Sequence, residues 1–357
     1  MFTFILKILF FAFIIINISF MFYFYVLLLQ LHFLFISLFL CSFCFSKMNR
    51  QENGGICSGT TRTQYRTYLL IKKGRFKMKA YTLGLYEKAM PGRMSWKEKL
   101  TCAGQCGYDF VEISIDETEE KLARLDWSTE ERLDLVKMMK ETGVPIRSMC
   151  LSGHRKYPFG ASNPEVRRRS MDIMEKAICL ADDLGIRIIQ LAGYDVYYEP
   201  GTAESEHMFR ENLKKAVLMA AAKGIYMGFE TMETDFMNTT EKAMKYVTLI
   251  DNPYLGVYPD SGNLTNAALL TGTGAAEDLE TGRGHIFALH LKETVPGKFR
   301  EIPFLTGHVD FETIIAKAWE LGVRRYVTEM WDVGNAKWME DIQFARRSMS
   351  SILDRQL

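Results

Sequence analysis

"YLGVYPDSGNL", Tyr254 to Leu264, is the stretch on which the reading of the fold turns. A short apolar run ends at Pro259, and proline cannot continue a central sheet ladder, so the strand stops there. Asp260 follows at once, then a small-residue turn through Ser261, Gly262 and Asn263. A carboxylate is thus carried just past the C-terminal end of a strand. The same grammar recurs on both sides. "IYMGFE" (from Ile225) ends in Glu230, "IFALHLK" (from Ile286) carries His290, and "YVTEM" (from Tyr326) carries Glu329.

Four more apolar runs precede these: "YTLGLY" from Tyr81, "FVEISI" from Phe110, "IRSMCLS" from Ile146 and "RIIQLAG" from Arg187. Amphipathic helical patterns lie between them. "STEERLDLVKMMKETG" opens at Ser128 with a capping box to Glu131 and stops at Gly143. "ENLKKAVLMAAAKG" from Glu211 and "FETIIAKAWELG" from Phe311 also end in glycine. Eight alternations of nearly continuous apolar strands with helices predict a parallel (β/α)₈ TIM barrel rather than a doubly wound sheet. No Gly-x-Gly-x-x-Gly follows the first strand and no P-loop is present, which argues against a nucleotide fold. Residues 78–357 match the length of one such barrel, about 250 residues.

The barrel segment is preceded by an apolar, basic N-terminal extension, residues 1–77, with nine Lys/Arg and one acid, Glu52. The rest of the chain therefore holds 35 basic and 42 acidic residues, a net charge of −7. So acidic a body argues against a nucleic-acid partner. From Ile8 to Ser46 there is no charged residue. That is too long for a signal-peptide core and long enough to span a bilayer, so a membrane anchor through residues 8–46 is the literal reading. Against it, no Gly or Pro occurs before Gly54, Ala12 is the one alanine, and Trp is missing. "KKGRFKM", Lys72 to Met78, can be encoded by purine-rich codons like those of a bacterial ribosome-binding site, with a spacer before Met78. The expectation is that the native chain starts at Met78 and works in the cytoplasm.

In a (β/α)₈ barrel the chemistry occupies the C-terminal strand ends. Glu230, Asp260, His290 and Glu329 stand there on strands five to eight. Neighbouring strands lie about 4.8 Å apart, so these four side chains can meet at one point. Taken singly, a strand-end Glu is usually solvated and a lone His is usually a satisfied core residue. Four in register on adjacent strands predict a site for one divalent ion: Mn²⁺, Zn²⁺, Co²⁺ or Mg²⁺. Glu112, read as the end of strand two, also faces the site, whereas Asp116 belongs to a surface loop. His154, Arg155 and Lys156 after strand three, with Lys292 after strand seven, form a candidate anion site. His285 starts a strand at the opposite end, His207 lies on a helix, and His308 sits in a solvated turn. The seven cysteines show no zinc-type pairing; Cys102 and Cys106 share a helix face and read as buried apolar residues in a reducing cytosol.

The strings "LGLYEKAMP", "YDFVEISIDET", "RLDWS", "SMCLSGHR", "IQLAGYDVYYE", "YPDSGNL", "GHIFALHLKET" and "VDFE" resemble the sugar-phosphate 3-epimerases of the xylose-isomerase-like barrel superfamily. The likeness runs from about Leu83 to the last helix, and is greatest to the L-ribulose-5-phosphate (L-xylulose-5-phosphate) 3-epimerases of L-ascorbate utilisation. It implies metal ligation by Glu230, Asp260, His290 and Glu329, with both glutamates as the acid–base pair. The implied substrate is a small sugar phosphate, a pentulose 5-phosphate, and a homo-oligomer is compatible with it. Related free-ketose 3-epimerases carry a substrate-contacting His where this chain has Asn263, which weakens that rival reading. A metal-dependent DNA-repair endonuclease on the same barrel is the distant rival; it needs a His-rich site, and this chain has six His, one of them, His32, in the extension.

Overall fold

The computed structural model of the protein describes residues 79–357. The expectations for residues 1–77 therefore lie outside the described residues. Eight strands follow one another: β1 (Thr82–Tyr86), β2 (Phe110–Ile115), β3 (Ile146–Leu151), β4 (Ile188–Ala192), β5 (Tyr226–Glu230), β6 (Leu255–Val257), β7 (Leu289–Leu291) and β8 (Arg325–Thr328). The main helices between and after them are α1 (Trp96–Gln105), α2 (Thr129–Thr142), α3 (Pro164–Leu184), α4 (Ala203–Ala222), α5 (Thr240–Ile250), α6 (Ser261–Thr271), α7 (Phe311–Glu320) and α8 (Trp338–Asp354). Their ends obey the local rules. Ser128 caps α2 with the capping box to Glu131, and Gly143 closes it at φ 73°.

All seven continuous ladders are parallel, in the order β6-β5-β4-β3-β2-β1-β8-β7. The ring closes between β6 and β7 through two single bridges, Val257 with Ile286 and Asp260 with His290. Pro259 has no N–H to donate, yet its carbonyl accepts from the His290 amide at 2.9 Å. The seam is tight: a Cβ on Gly256 would come within 2.4 Å of the His285 carbonyl oxygen, and one on Gly262 within 2.5 Å of Thr294. Glycine is required at both for close approach.

Two apolar layers hold this frame. The larger lies between strands and helices and includes Leu83, Ile113, Met149, Ile189, Phe229 and Leu289. The smaller fills the barrel with Tyr86, Phe110, Cys150, Ile188, Tyr258, Ala288 and Val327. The barrel is therefore a packed core rather than a pore. Cys102 and Cys106 are buried on α1 as unpaired thiols. Asp116 departs from expectation. It is buried, bridged by Lys88, and accepts from the Thr118 hydroxyl at 2.7 Å, so it ties the turns after β1 and β2 together. Among the described residues no helix is long and apolar enough to cross a membrane.

Candidate metal centre and active site

Glu230 is the last residue of β5, and Glu329 directly follows β8. His290 is central in β7, and Asp260 is the N-cap of α6. One ligand-type atom from each of the four lies within 4.8 Å of the others, and all four side chains are buried. Asp260 shows how a local motif presents a ligand. One of its oxygens, Oδ1, caps α6 by accepting the Asn263 amide at 2.7 Å. The other, Oδ2, is buried without a hydrogen-bond partner among the described residues. An orphaned carboxylate oxygen inside a protein is costly unless it meets a cation. Three carboxylates, one imidazole and this open oxygen fit a hard-to-borderline divalent ion.

The electrostatics separate the acids. Burial, then the charge of Glu329, pushes Glu230 up to about 8. Burial raises Asp260 to about 6 against the pull of Lys292. Burial acts on Glu329 too, but Lys292 and His290 outweigh it and hold its carboxyl well below the usual range. For His290, burial is outweighed by Glu112 and Glu329, so its imidazolium is favoured.

A cleft of about 470 Å³ opens over this cluster, lined among others by Glu230, Glu329, Asn263, Lys292, Arg155 and Arg300. The structure gathers some expected residues here and places others elsewhere. Lys292 does not stand out as a free anion donor. Its ammonium lies 3.0 Å from Asp260, 3.5 Å from Glu329 and 2.9 Å from the Asn263 side-chain oxygen, inside the carboxylate cluster. Asn263 also donates to the Thr231 carbonyl at 2.6 Å. Glu112 is the third residue of β2, not its end, and is fully buried beneath His290. Lys156 is exposed and pairs with Glu119 at 3.0 Å. Arg155 remains in the cleft, its guanidinium 5.1 Å from the Tyr197 ring centre and its Nε buried without a partner. His308 is 3.1 Å from the Thr294 hydroxyl, so it is less solvated than its turn implies.

His154 is corrected from an anion ligand to a core residue. It is buried against Phe159, ring centres 4.5 Å apart, with Nε2 3.1 Å from the Ser170 carbonyl. Burial lowers its pKa to about 4, the Ser170 contact opposing. The neutral ring is thus the folded form, and the unfolded chain binds the extra proton between its ordinary pKa of about 6.5 and that value. Stability should fall as pH drops through this window, by up to about 3 kcal/mol. A pH series of chemical denaturation on wild type and His154→Gln checks this; equal slopes in both would show that the ring does not titrate with unfolding.

Residues hidden from the sequence reading are Gln190, Tyr258, Glu233 and Arg300. Gln190 sits inside β4 with its amide nitrogen 3.2 Å from His290 Nδ1. A polar residue in the middle of "RIIQLAG" was the available signal. Glu233 accepts from the Tyr194 hydroxyl at 2.7 Å and lies 3.8 Å from Arg300 at the cleft wall.

Comparison with known proteins agrees with this architecture. The family model described as xylose isomerase-like TIM barrel matches residues 101–348. A protein of Salmonella heidelberg (strain SL476) named L-ribulose-5-phosphate 3-epimerase UlaE is 45% identical over 254 residues, 71% of this chain and 88% of its own length. A protein of Escherichia coli O157:H7 with the same name matches at 45% identity over the same shares. Among solved structures, D-psicose 3-epimerase in the presence of D-fructose is similar with a TM-score of 0.63 at 15% identity, covering 76% of this chain and 99% of that one; at this identity the likeness speaks for the fold. The chain belongs to the xylose isomerase-like TIM barrel family, beside relatives named as L-ribulose-5-phosphate 3-epimerases, and is an epimerase of the isomerase class.

Proposed function

We propose that the protein is a cytoplasmic, metal-dependent 3-epimerase of a pentulose 5-phosphate, interconverting L-xylulose 5-phosphate and L-ribulose 5-phosphate. The observation that carries the reading is the convergence of Glu230, Asp260, His290 and Glu329 under one cleft. The names of the 45%-identical relatives support the choice of substrate.

Inversion at C3 of a 2-ketose needs a weakly acidic proton removed from one face and another delivered to the opposite face. Glu230 and Glu329 come from strands three apart in the ring and both line the cleft, so a flat enediolate can lie between them. One takes the proton and the other donates; the roles exchange with the epimer bound. Glu230, Asp260, His290 and Glu329 would hold the ion, which supplies Lewis-acid stabilisation of the developing negative charge, worth several kcal/mol. Lys292 adds a fixed positive charge beside Asp260 and Glu329. The packed apolar barrel below closes the cleft floor to water, which strengthens each of these charges.

The phosphate falls to Arg155, whose buried Nε has no hydrogen-bond partner among the described residues. A charge-assisted hydrogen bond contributes about 1.5–3 kcal/mol. Arg155→Ala should therefore lower kcat/KM for L-ribulose 5-phosphate by about tenfold or more while hardly changing activity on free L-ribulose. Coupled assays on the two ketoses decide it. Equal losses on both would remove Arg155 from phosphate recognition and favour a free-ketose 3-epimerase.

A further inference from the structure

The geometry points to Glu112, held in turn by Tyr258, as a positioning residue that fixes which ring nitrogen of His290 faces the metal cluster. The inference rests on the metal reading proposed above. The two ring nitrogens of His290 have different neighbours. Nε2 lies 2.6 Å from Glu112 Oε1, while Nδ1 lies 3.1 Å from Glu329 Oε2 and 3.2 Å from the Gln190 amide nitrogen. A carboxylate oxygen accepts, which puts the hydrogen of this contact on Nε2. A cation in the cluster would take the place of any hydrogen on Nδ1, so Nδ1, on the side of Glu329 and therefore of the cluster, is the nitrogen that would offer it a lone pair.

The support behind this contact is complete. Glu112 Oε2 accepts the Tyr258 hydroxyl at 2.9 Å, so both carboxylate oxygens are engaged. The Tyr258 ring also packs edge-on against the imidazole, centres 4.9 Å apart at 74°. Glu112, His290 and Tyr258 are all fully buried. Glu112 does not line the cleft, and its carboxylate contacts are with His290 and Tyr258. Among the described residues no guanidinium or ammonium pairs with Glu112, and a buried carboxylate so placed is expensive to keep. Orienting a metal ligand gives it a use, and removing such support typically lowers metal affinity by about 10–100-fold.

The test is titration of the metal-stripped full chain with Co²⁺, following visible absorption and competition with a chelator. Wild type should bind one ion with a defined band. Glu112→Gln keeps size and hydrogen-bonding but loses the anion, and should weaken Co²⁺ binding about tenfold or more and shift the band. Tyr258→Phe removes one hydroxyl and should change both in the same direction by less. A merely structural role would lower the melting temperature of Glu112→Gln and leave the affinity and band of the folded protein as in wild type; that result overturns the assignment. If Glu112→Gln is not recovered folded, Tyr258→Phe decides, and an unaltered affinity and band overturn it equally. Absence of Co²⁺ binding by wild type would instead strike the metal reading itself, so the two failures are distinguishable.

Discussion

Glu230→Gln and Glu329→Gln should each lower kcat by about 10³-fold or more, the upper part of what one acid–base group contributes. Glutamine keeps the shape of the side chain but can neither take nor return the C3 proton. Both residues stand in the same cleft and in the same four-residue cluster, so each variant strikes proton transfer and metal affinity together. The measurement is NMR of the full chain with L-xylulose 5-phosphate in D₂O. Wild type should place deuterium at C3 of both epimers, and both variants should lose this exchange along with turnover. Near-wild-type turnover in either would refute the two-base assignment. Epimerisation by wild type without deuterium at C3 would refute it as well.

The second large effect concerns Asp260. In Asp260→Asn the oxygen that caps α6 can survive, since asparagine is as good an N-cap as aspartate. What disappears is the second oxygen, now buried and unpartnered, replaced by an amide NH₂ whose lone pair is delocalised into the carbonyl and which only donates. The variant should fold with nearly wild-type stability but bind its divalent ion at least about 100-fold more weakly, more than the usual loss of a supporting residue. Activity should fall with a chelator in wild type and be partly restored in the variant by excess Mn²⁺ or Co²⁺. Inactivity at every metal concentration, with normal metal content by elemental analysis, would exclude a pure ligand role.

These residues were readable in the chain because parallel strands buried on both faces appear as unbroken apolar runs. Each titratable group at the end of such a run is then conspicuous, and Glu230, Asp260, His290 and Glu329 are four of them in succession. Legibility stops where a partner comes from a distant strand. Nothing local to "FVEISI" says that Glu112 turns inward to a histidine 178 positions later. Tyr258 reads as one more apolar residue, yet its hydroxyl anchors that carboxylate. The "GHRK" turn after β3 looks uniformly basic and solvated, but Phe159 and the Ser170 carbonyl bury His154 while leaving Arg155 in the cleft. Lys292 was legible as a cation on the right face and not as a neighbour of Asp260. That proximity depends on how closely α6 approaches the end of β7, which Gly262 permits.

The joint between β6 and β7 gives the barrel a hoop with one thin stave. Every other joint is a continuous ladder, whereas this one is two single bridges, the upper formed by Asp260 and His290. A hoop parts at its weakest joint, and parting here would draw two of the four clustered side chains away from each other. Shutting the ring and assembling the cluster are therefore one equilibrium. Any cation gripped from both sides of the joint acts as a rivet, and its binding free energy adds directly to that of the closed ring.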